Sequence, residues 1–198
     1  STRKYMPLER IAIQFVGKSG QGIDTVGKIL SRVATEHNLY IFSSREYPSL
    51  IKGGISSYQI DISSRNIYSS SREIDILCSF TKESFKFHLK NTKENAFLIQ
   101  SPEIEIGEEE QKEIKKKNLK ILLLDSKKIV EENKGTEIMR NSVPLGLICK
   151  LHNFDLKILL KEIEINFKSK NVDLEALNKC LEAGYNSALF RPEYNKDL

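Results

Sequence analysis

The sequence predicts an α/β fold: a mainly parallel, doubly wound sheet with helices on both faces and a helical C-terminal tail. Three observations predict it. Near the N-terminus a strand-like run passes through closely spaced glycines into a helix-like run. Short apolar runs then alternate with amphipathic ones, as in parallel strands joined by helices. The last third of the chain carries helical periodicity instead.

Taken in order, Arg10-Ile11-Ala12-Ile13-Gln14-Phe15-Val16 is rich in β-branched and aromatic residues and reads as the first strand. Gly17-Lys18-Ser19-Gly20-Gln21-Gly22 is the turn. Ile23, Val26, Leu30, Val33 and Ala34 then share one helical face, with Asp24, Lys28, Arg32 and Glu36 largely opposite. Leu39–Phe42 is expected to be a short second strand, followed by a loop from Ser43 to Gly54 that contains Pro48 and the Gly53-Gly54 pair. Tyr58, Ile60 and Ile62 alternate with Ser57, Gln59 and Asp61, a half-buried strand. A turn at Ser63–Asn66 leads to Ile67-Tyr68, read as a short returning strand. Ile74–Ser79 reads as a buried strand, and Thr81 as the cap of a helix running to about Lys90. Ala96–Ile99 and Leu119–Leu124 are strands on either side of a polar, acidic stretch from Glu103 to Lys117. Helices are expected over Asn141–Leu151, Leu156–Phe167 and Leu174–Phe190, and Pro144 suits a first turn. The whole, residues 1–198, reads as one Rossmann-like domain with its helical tail at about 141–190.

Composition narrows the function classes. With 31 basic and 27 acidic residues, the net charge of +4 gives no electrostatic footprint for nucleic acid. Lys115-Lys116-Lys117 sits beside acidic neighbours and reads as a solvated helix face. No apolar run approaches the ~20 residues that span a bilayer. The basic start lacks an apolar signal region, so a cytoplasmic setting is expected, and a first residue of Ser is what processing or trimming leaves. Cys78, Cys149 and Cys180 are widely spaced and pair with no histidine at ligand spacing, so they read as small core residues rather than metal ligands. No Ser-His-Asp or Cys-His arrangement can be argued, and no catalytic residue is assigned. Asp75 and Asp125 read as caps or surface acids. Tyr47 and Tyr185 could stack on a ring, although buried packing is the commoner fate of tyrosine.

The glycine corner carries the chemistry. A strand, a glycine turn and a helix N-terminus leave backbone N–H groups without partners, and the helix dipole favours an anion there. The plain alternative is that a tight strand-to-helix turn needs glycines with or without a ligand. The nicotinamide fingerprint is incomplete: Thr25 stands where G-x-G-x-x-G has its third glycine, the next being Gly27, and the second strand ends near Ser43-Ser44-Arg45-Glu46 without a clear ribose-binding acid. Gly53-Gly54 is either a tight turn or a second close backbone approach with Lys52 beside it. Both loops are expected at the carboxyl ends of adjacent strands, where α/β sheets bind ligands.

Gly17–Gly27 resembles the opening of the gamma domain of 2-oxoacid:acceptor (ferredoxin) oxidoreductases. Arg45-Glu46-Tyr47-Pro48-Ser49-Leu50-Ile51-Lys52-Gly53-Gly54, followed by Ser57-Tyr58-Gln59-Ile60, resembles that family's second signature. Asn141-Ser142-Val143-Pro144-Leu145-Gly146 and Asn178–Tyr185 are also similar. The likeness covers nearly the whole chain and is greatest to the form in which this domain precedes an alpha domain in one polypeptide. It therefore implies an excised domain or a separate gamma subunit. The resemblance implies oxidative decarboxylation of a 2-oxoacid, commonly to an acyl-CoA, with electrons passed to a ferredoxin-type acceptor. Thiamine diphosphate, magnesium and iron–sulfur clusters would lie on partner alpha and beta domains, leaving this chain inactive alone. Gly20, Gln21, Gly22 and Thr25 would form one wall of a phosphate, coenzyme A or interdomain site. Ser49, Lys52, Gly53 and Gly54 would form another, unless both loops serve domain packing alone. Lys18-Ser19 departs from the small residues common in the first loop. The alternatives left by the residues are a freestanding nucleotide-binding or interaction module and a scaffold without a ligand.

Overall fold

The computed structural model describes residues 9–18, 20–49 and 54–187, apart from the side chains of 47–49. Six strands form one sheet in the order β2-β3-β1-β4-β5-β6: β1 (Ile11–Lys18), β2 (Tyr40–Ser49), β3 (Ile55–Ser63), β4 (Ile74–Ser79), β5 (Thr92–Gln100) and β6 (Lys120–Leu123). β1, β4, β5 and β6 are parallel, whereas β3 runs antiparallel to both β1 and β2. The sheet is mixed, with β3 reversed among strands that otherwise share a direction.

Alternation along each strand sends side chains to two cores. From β1, Ile13 and Phe15 meet one core and Ala12 and Val16 the other. The first core packs under α1 (Ile23–Glu36), α4 (Ser126–Glu132), α5 (Val143–Leu151), α6 (Leu156–Phe167) and α7 (Leu174–Asn186). The second packs under α2 (Lys82–His88) and α3 (Glu108–Lys116) through Phe85 and Ile114. Each fully buried Ile, Leu or Phe contributes about 1.5–3 kcal/mol, so both faces matter. Helix starts follow local chemistry: Thr81 accepts from the Ser84 N–H, Asp155 from Lys157 and Asp173 from Ala176.

The structure corrects several expectations. The second strand is not short. β2 continues through Ser43-Ser44-Arg45-Glu46 and pairs with β3 as a hairpin. Those residues carry no apolar alternation because they lie on one of the sheet's two edge strands with Ser43, Arg45 and Glu46 exposed to water. Ile67-Tyr68 forms no strand, and Tyr68 is 84% exposed. β5 begins earlier than expected, its pairing with β4 broken by a shift in register near Asn95, which takes a φ of 60°. Asp125 does cap a helix, accepting from the Lys128 N–H, but α4 itself was not expected. A 3-10 turn over Glu137–Ser142 precedes α5, so that helix begins at Val143. α7 ends at Asn186, and the tail expected to Phe190 continues outside the described residues. Asp75 is neither cap nor surface acid: its carboxylate accepts the Ala12 N–H at 2.8 Å and Lys93 Nζ at 2.9 Å. The three cysteines are buried, as expected. Among the lysines of 115–117, Lys117 is not merely solvated, since its ammonium donates to the Lys90 and Thr92 carbonyls.

Candidate anion-binding crevice

At its carboxyl end β1 reaches Gly17 and Lys18, which pair with Ser56 and Ile55 at the start of β3. The glycine corner therefore shares one sheet edge with the end of β2 and the start of β3. The arrangement differs from the expected one: β2 is not adjacent to β1, because β3 lies between and enters the edge that the other strands leave. A strand that leaves this edge beside β1, with an acid at its end, is what holds a nicotinamide ribose. On this side of β1 that position is filled by the incoming β3.

On the other side of β1, where β4 and β5 also end, the edge opens into a crevice of about 720 Å³. Gly20, Gln21, Gly22 and Thr25 line it, facing Cys78 to Phe80, Ile99 to Ser101, and the bank formed by Glu137–Ser142. Gly22 caps α1 in the left-handed conformation (φ 72°, ψ 21°), and no described side chain takes up the first N–H groups of this 14-residue helix. Those N–H groups lie at the positive end of the dipole, which the Asp24 carboxylate in the first turn offsets in part. Gly20 has φ +87°, and among the described residues a Cβ on either glycine would meet no atom within 4 Å. Conformation, not space, requires glycine there. At Gly17 a Cβ would displace the Gln21 amide, whose Oε1 would lie 2.6 Å away.

Gln21 is fixed by three hydrogen bonds. Its N–H donates to the Lys18 carbonyl at 3.2 Å, and its Oε1 accepts the Lys18 N–H at 2.6 Å. Its carbonyl accepts Asn141 Nδ2 at 2.7 Å. In the first turn of α1, Asp24 is bonded by Arg45 of β2, with Nε to Oδ1 at 2.8 Å, which joins the hairpin to the helix start. Across the crevice, Arg140 donates to Glu137 at 2.7 Å and also pairs with Glu103. Cys78 lines the wall, but burial pushes its thiol well above the ordinary range and takes Cys149 up to about 12. Neither fits a thiolate ligand or nucleophile at neutral pH.

Of the residues expected to form the site, Gly20, Gln21, Gly22 and Thr25 come together on the crevice wall. Gly54 begins the approach to β3 at φ +75°, at the same edge but not on that wall. Ser49 is the last residue of β2, and its side chain, like that of Tyr47, lies outside what is described. Lys52 and Gly53 lie outside the described residues. The third-glycine role of close helix–sheet packing falls to Gly27, where a Cβ would strike the Tyr58 ring at 2.3 Å. Sequence reasoning missed Arg140 and Asn141. Asn141 heads a stretch that reads as a helix start and resembles the family, but neither reading gives its side chain a role.

This geometry defines an α/β domain with a glycine corner at a helix N-terminus beside the point where the sheet order reverses. The chain belongs to the family described as pyruvate ferredoxin/flavodoxin oxidoreductase, which it matches over residues 12–187. A 2-oxoacid:ferredoxin oxidoreductase subunit alpha from Sulfolobus sp is 28% identical over 187 residues, covering 77% of this chain and 30% of that protein. The 2-oxoglutarate synthase subunit KorC of Methanothermobacter marburgensis is 26% identical over 141 residues, covering 70% of this chain and 76% of that subunit. The chain thus spans about a third of the alpha subunits and about three quarters of KorC. The same fold occurs in a keto/oxoacid ferredoxin oxidoreductase gamma subunit from Geobacter sulfurreducens, with a TM-score of 0.69, 21% identity and coverage of 90% and 98%. It also occurs in the 2-oxoglutarate:ferredoxin oxidoreductase of Magnetococcus marinus, solved with 2-oxoglutarate, coenzyme A and succinyl-CoA bound. There the TM-score is 0.73 at 21% identity, over 91% of this chain and 31% of that one.

Proposed function

We propose that the chain, over residues 1–198, is the gamma domain or subunit of a thiamine-diphosphate-dependent 2-oxoacid:ferredoxin oxidoreductase. In this reading it supplies an assembly interface and one wall of a coenzyme A site, and alpha and beta partners supply the reaction centre. The observation that carries the proposal is the glycine corner at the same sheet edge as the end of β2 and the start of β3, beside a helix N-terminus that no described side chain caps, in a chain of this family.

The residues fit the proposed groups unequally. The open N–H groups at Gly22–Thr25 suit a phosphate, and the apolar walls at Phe80, Ile99 and Val172 suit an uncharged chain. Coenzyme A, when bound, would supply the thiol that accepts the acyl group. This chain's part would be to hold and orient it. The cysteines do not suit an iron–sulfur cluster, being buried with raised thiol pKa, and no group of three potential metal ligands occurs among the described residues. The proposed place of the iron–sulfur, magnesium and thiamine sites is on the partners.

The test is reconstitution. The isolated chain should not oxidise any 2-oxoacid, and adding alpha and beta partners should restore ferredoxin reduction. Turnover by this chain alone would overturn the reading. Within the assembled enzyme, Lys52→Ala and Gly54→Val should weaken assembly or raise the KM for coenzyme A. If neither moves, the two-loop site is wrong.

A further inference from the structure

We propose that Asn141 is a positioning residue, holding the glycine corner in its anion-accepting shape from the opposite bank of the crevice. The inference deepens the reading of the corner as a functional wall and rests on that reading for its consequence in turnover.

The argument starts from the peptide plane. The Gln21 carbonyl and the Gly22 N–H belong to one planar unit, so fixing the carbonyl fixes the direction of the N–H. Gly20 and Gly22 flank this unit, both at positive φ, and glycine permits many other conformations. Two of the three bonds on Gln21 come from Lys18 and are local. They tie the residue's N–H and side chain but leave its carbonyl free to turn. The third, from Asn141 Nδ2 at 2.7 Å, spans 120 residues of sequence and acts on that carbonyl.

Asn141 is itself well anchored. It sits in the 3-10 turn Glu137–Ser142, flanked by Arg140, which is bonded to Glu137 and paired with Glu103 beyond β5, and by Ser142, which is buried. α5 follows at once, with Val143 and Leu145 fully buried. The amide is thus presented from a bank anchored by buried side chains to a carbonyl that no local bond holds. An amide suits the task because it donates. An aspartate of the same shape would set a carboxylate against a carbonyl, with no proton to share.

The experiment uses Asn141→Asp and Asn141→Ala in the full chain and in the assembled enzyme. Amide hydrogen exchange at Gly20–Thr25 should quicken about fivefold, the factor expected for losing one ordinary hydrogen bond, while exchange in β1 and α5 holds. In the assembled enzyme the KM for coenzyme A should rise by a similar factor, with kcat little changed. Unchanged exchange at the corner in both variants overturns the positioning role. Quickened exchange with an unchanged KM supports the positioning role and overturns the reading of the corner as a coenzyme A wall. Exchange that quickens equally throughout α5 means the variants loosen the whole bank, and it too overturns a specific role for this bond.

Discussion

The glycine corner before α1 and the crossing of α5 with α7 both depend on glycine, for opposite physical reasons. At the corner, Gly20 and Gly22 have room for a side chain among the described residues but sit at φ values that disfavour one. At the crossing, Gly146 and Gly184 have ordinary φ but no room. A Cβ on Gly146 would stand 2.2 Å from the Leu181 carbonyl oxygen, and one on Gly184 would stand 2.3 Å from that of Val143. The first pair shapes backbone that faces a crevice. The second lets two helix backbones touch. Both belong to stretches that resemble the same family, so membership in a motif does not tell a glycine required by conformation from one required by packing. The helix crossing is a structural motif, and the corner is where binding chemistry can occur.

Breaking the crossing should have the largest effect. Gly146→Val forces β-branched bulk against backbone that cannot yield, and should cost about 3 kcal/mol or more, read as a lowered urea midpoint. If its stability stays near wild type, the helices are not in contact as described. Next comes acid. Burial pushes the His152 imidazole down from 6.5 to about 4, opposed in part by Asp75. The unfolded chain takes up this proton near pH 6.5 and the folded chain only near pH 4, so the contribution is intact above that window and is lost as pH falls through it. The loss is at most about 3 kcal/mol, and His152→Leu should flatten that part of the stability–pH curve. At the corner, Gly22→Ala should cost about 1–2 kcal/mol from left-handed strain, and it should sharpen the comparison by perturbing the exchange of α1 amides without loosening the crossing. The smallest change is Tyr185→Phe, which removes the 3.1 Å bond to the Phe154 carbonyl and should cost about 1 kcal/mol. A larger loss would mean that the Tyr185 ring, with Lys150 Nζ 4.9 Å from its centre, has also moved.

Much of the fold was legible in the sequence because burial imposes periodicity. The runs of β1, β4 and β6 are apolar because helices cover both faces, and the amphipathic stripe of α1 marks its core side. Elements escaped where that rule weakens. β2 is an edge strand whose side chains at Ser43, Arg45 and Glu46 are exposed, unlike β6 at the other edge, and α4 is short and carries little beyond Val130 in the core. The corner was legible because positive φ admits few residues besides glycine. Its opposite bank was not: neither the hydrogen bond from Asn141 nor the pairing of Arg140 with Glu103 leaves a local pattern. Their partners lie 120 and 37 residues away.

By itself the sequence determined the strand–glycine–helix corner, the α/β class, the buried cysteines and the family. Each of these follows from local conformational limits or from a pattern repeated along the chain. Tertiary structure alone decided that β3 enters between β2 and β1, which displaces the strand a nicotinamide site would need. It alone decided that Gly27, Gly146 and Gly184 serve packing. The reason is that close approach and strand neighbours are relations between distant segments, set by which packing buries the most apolar surface.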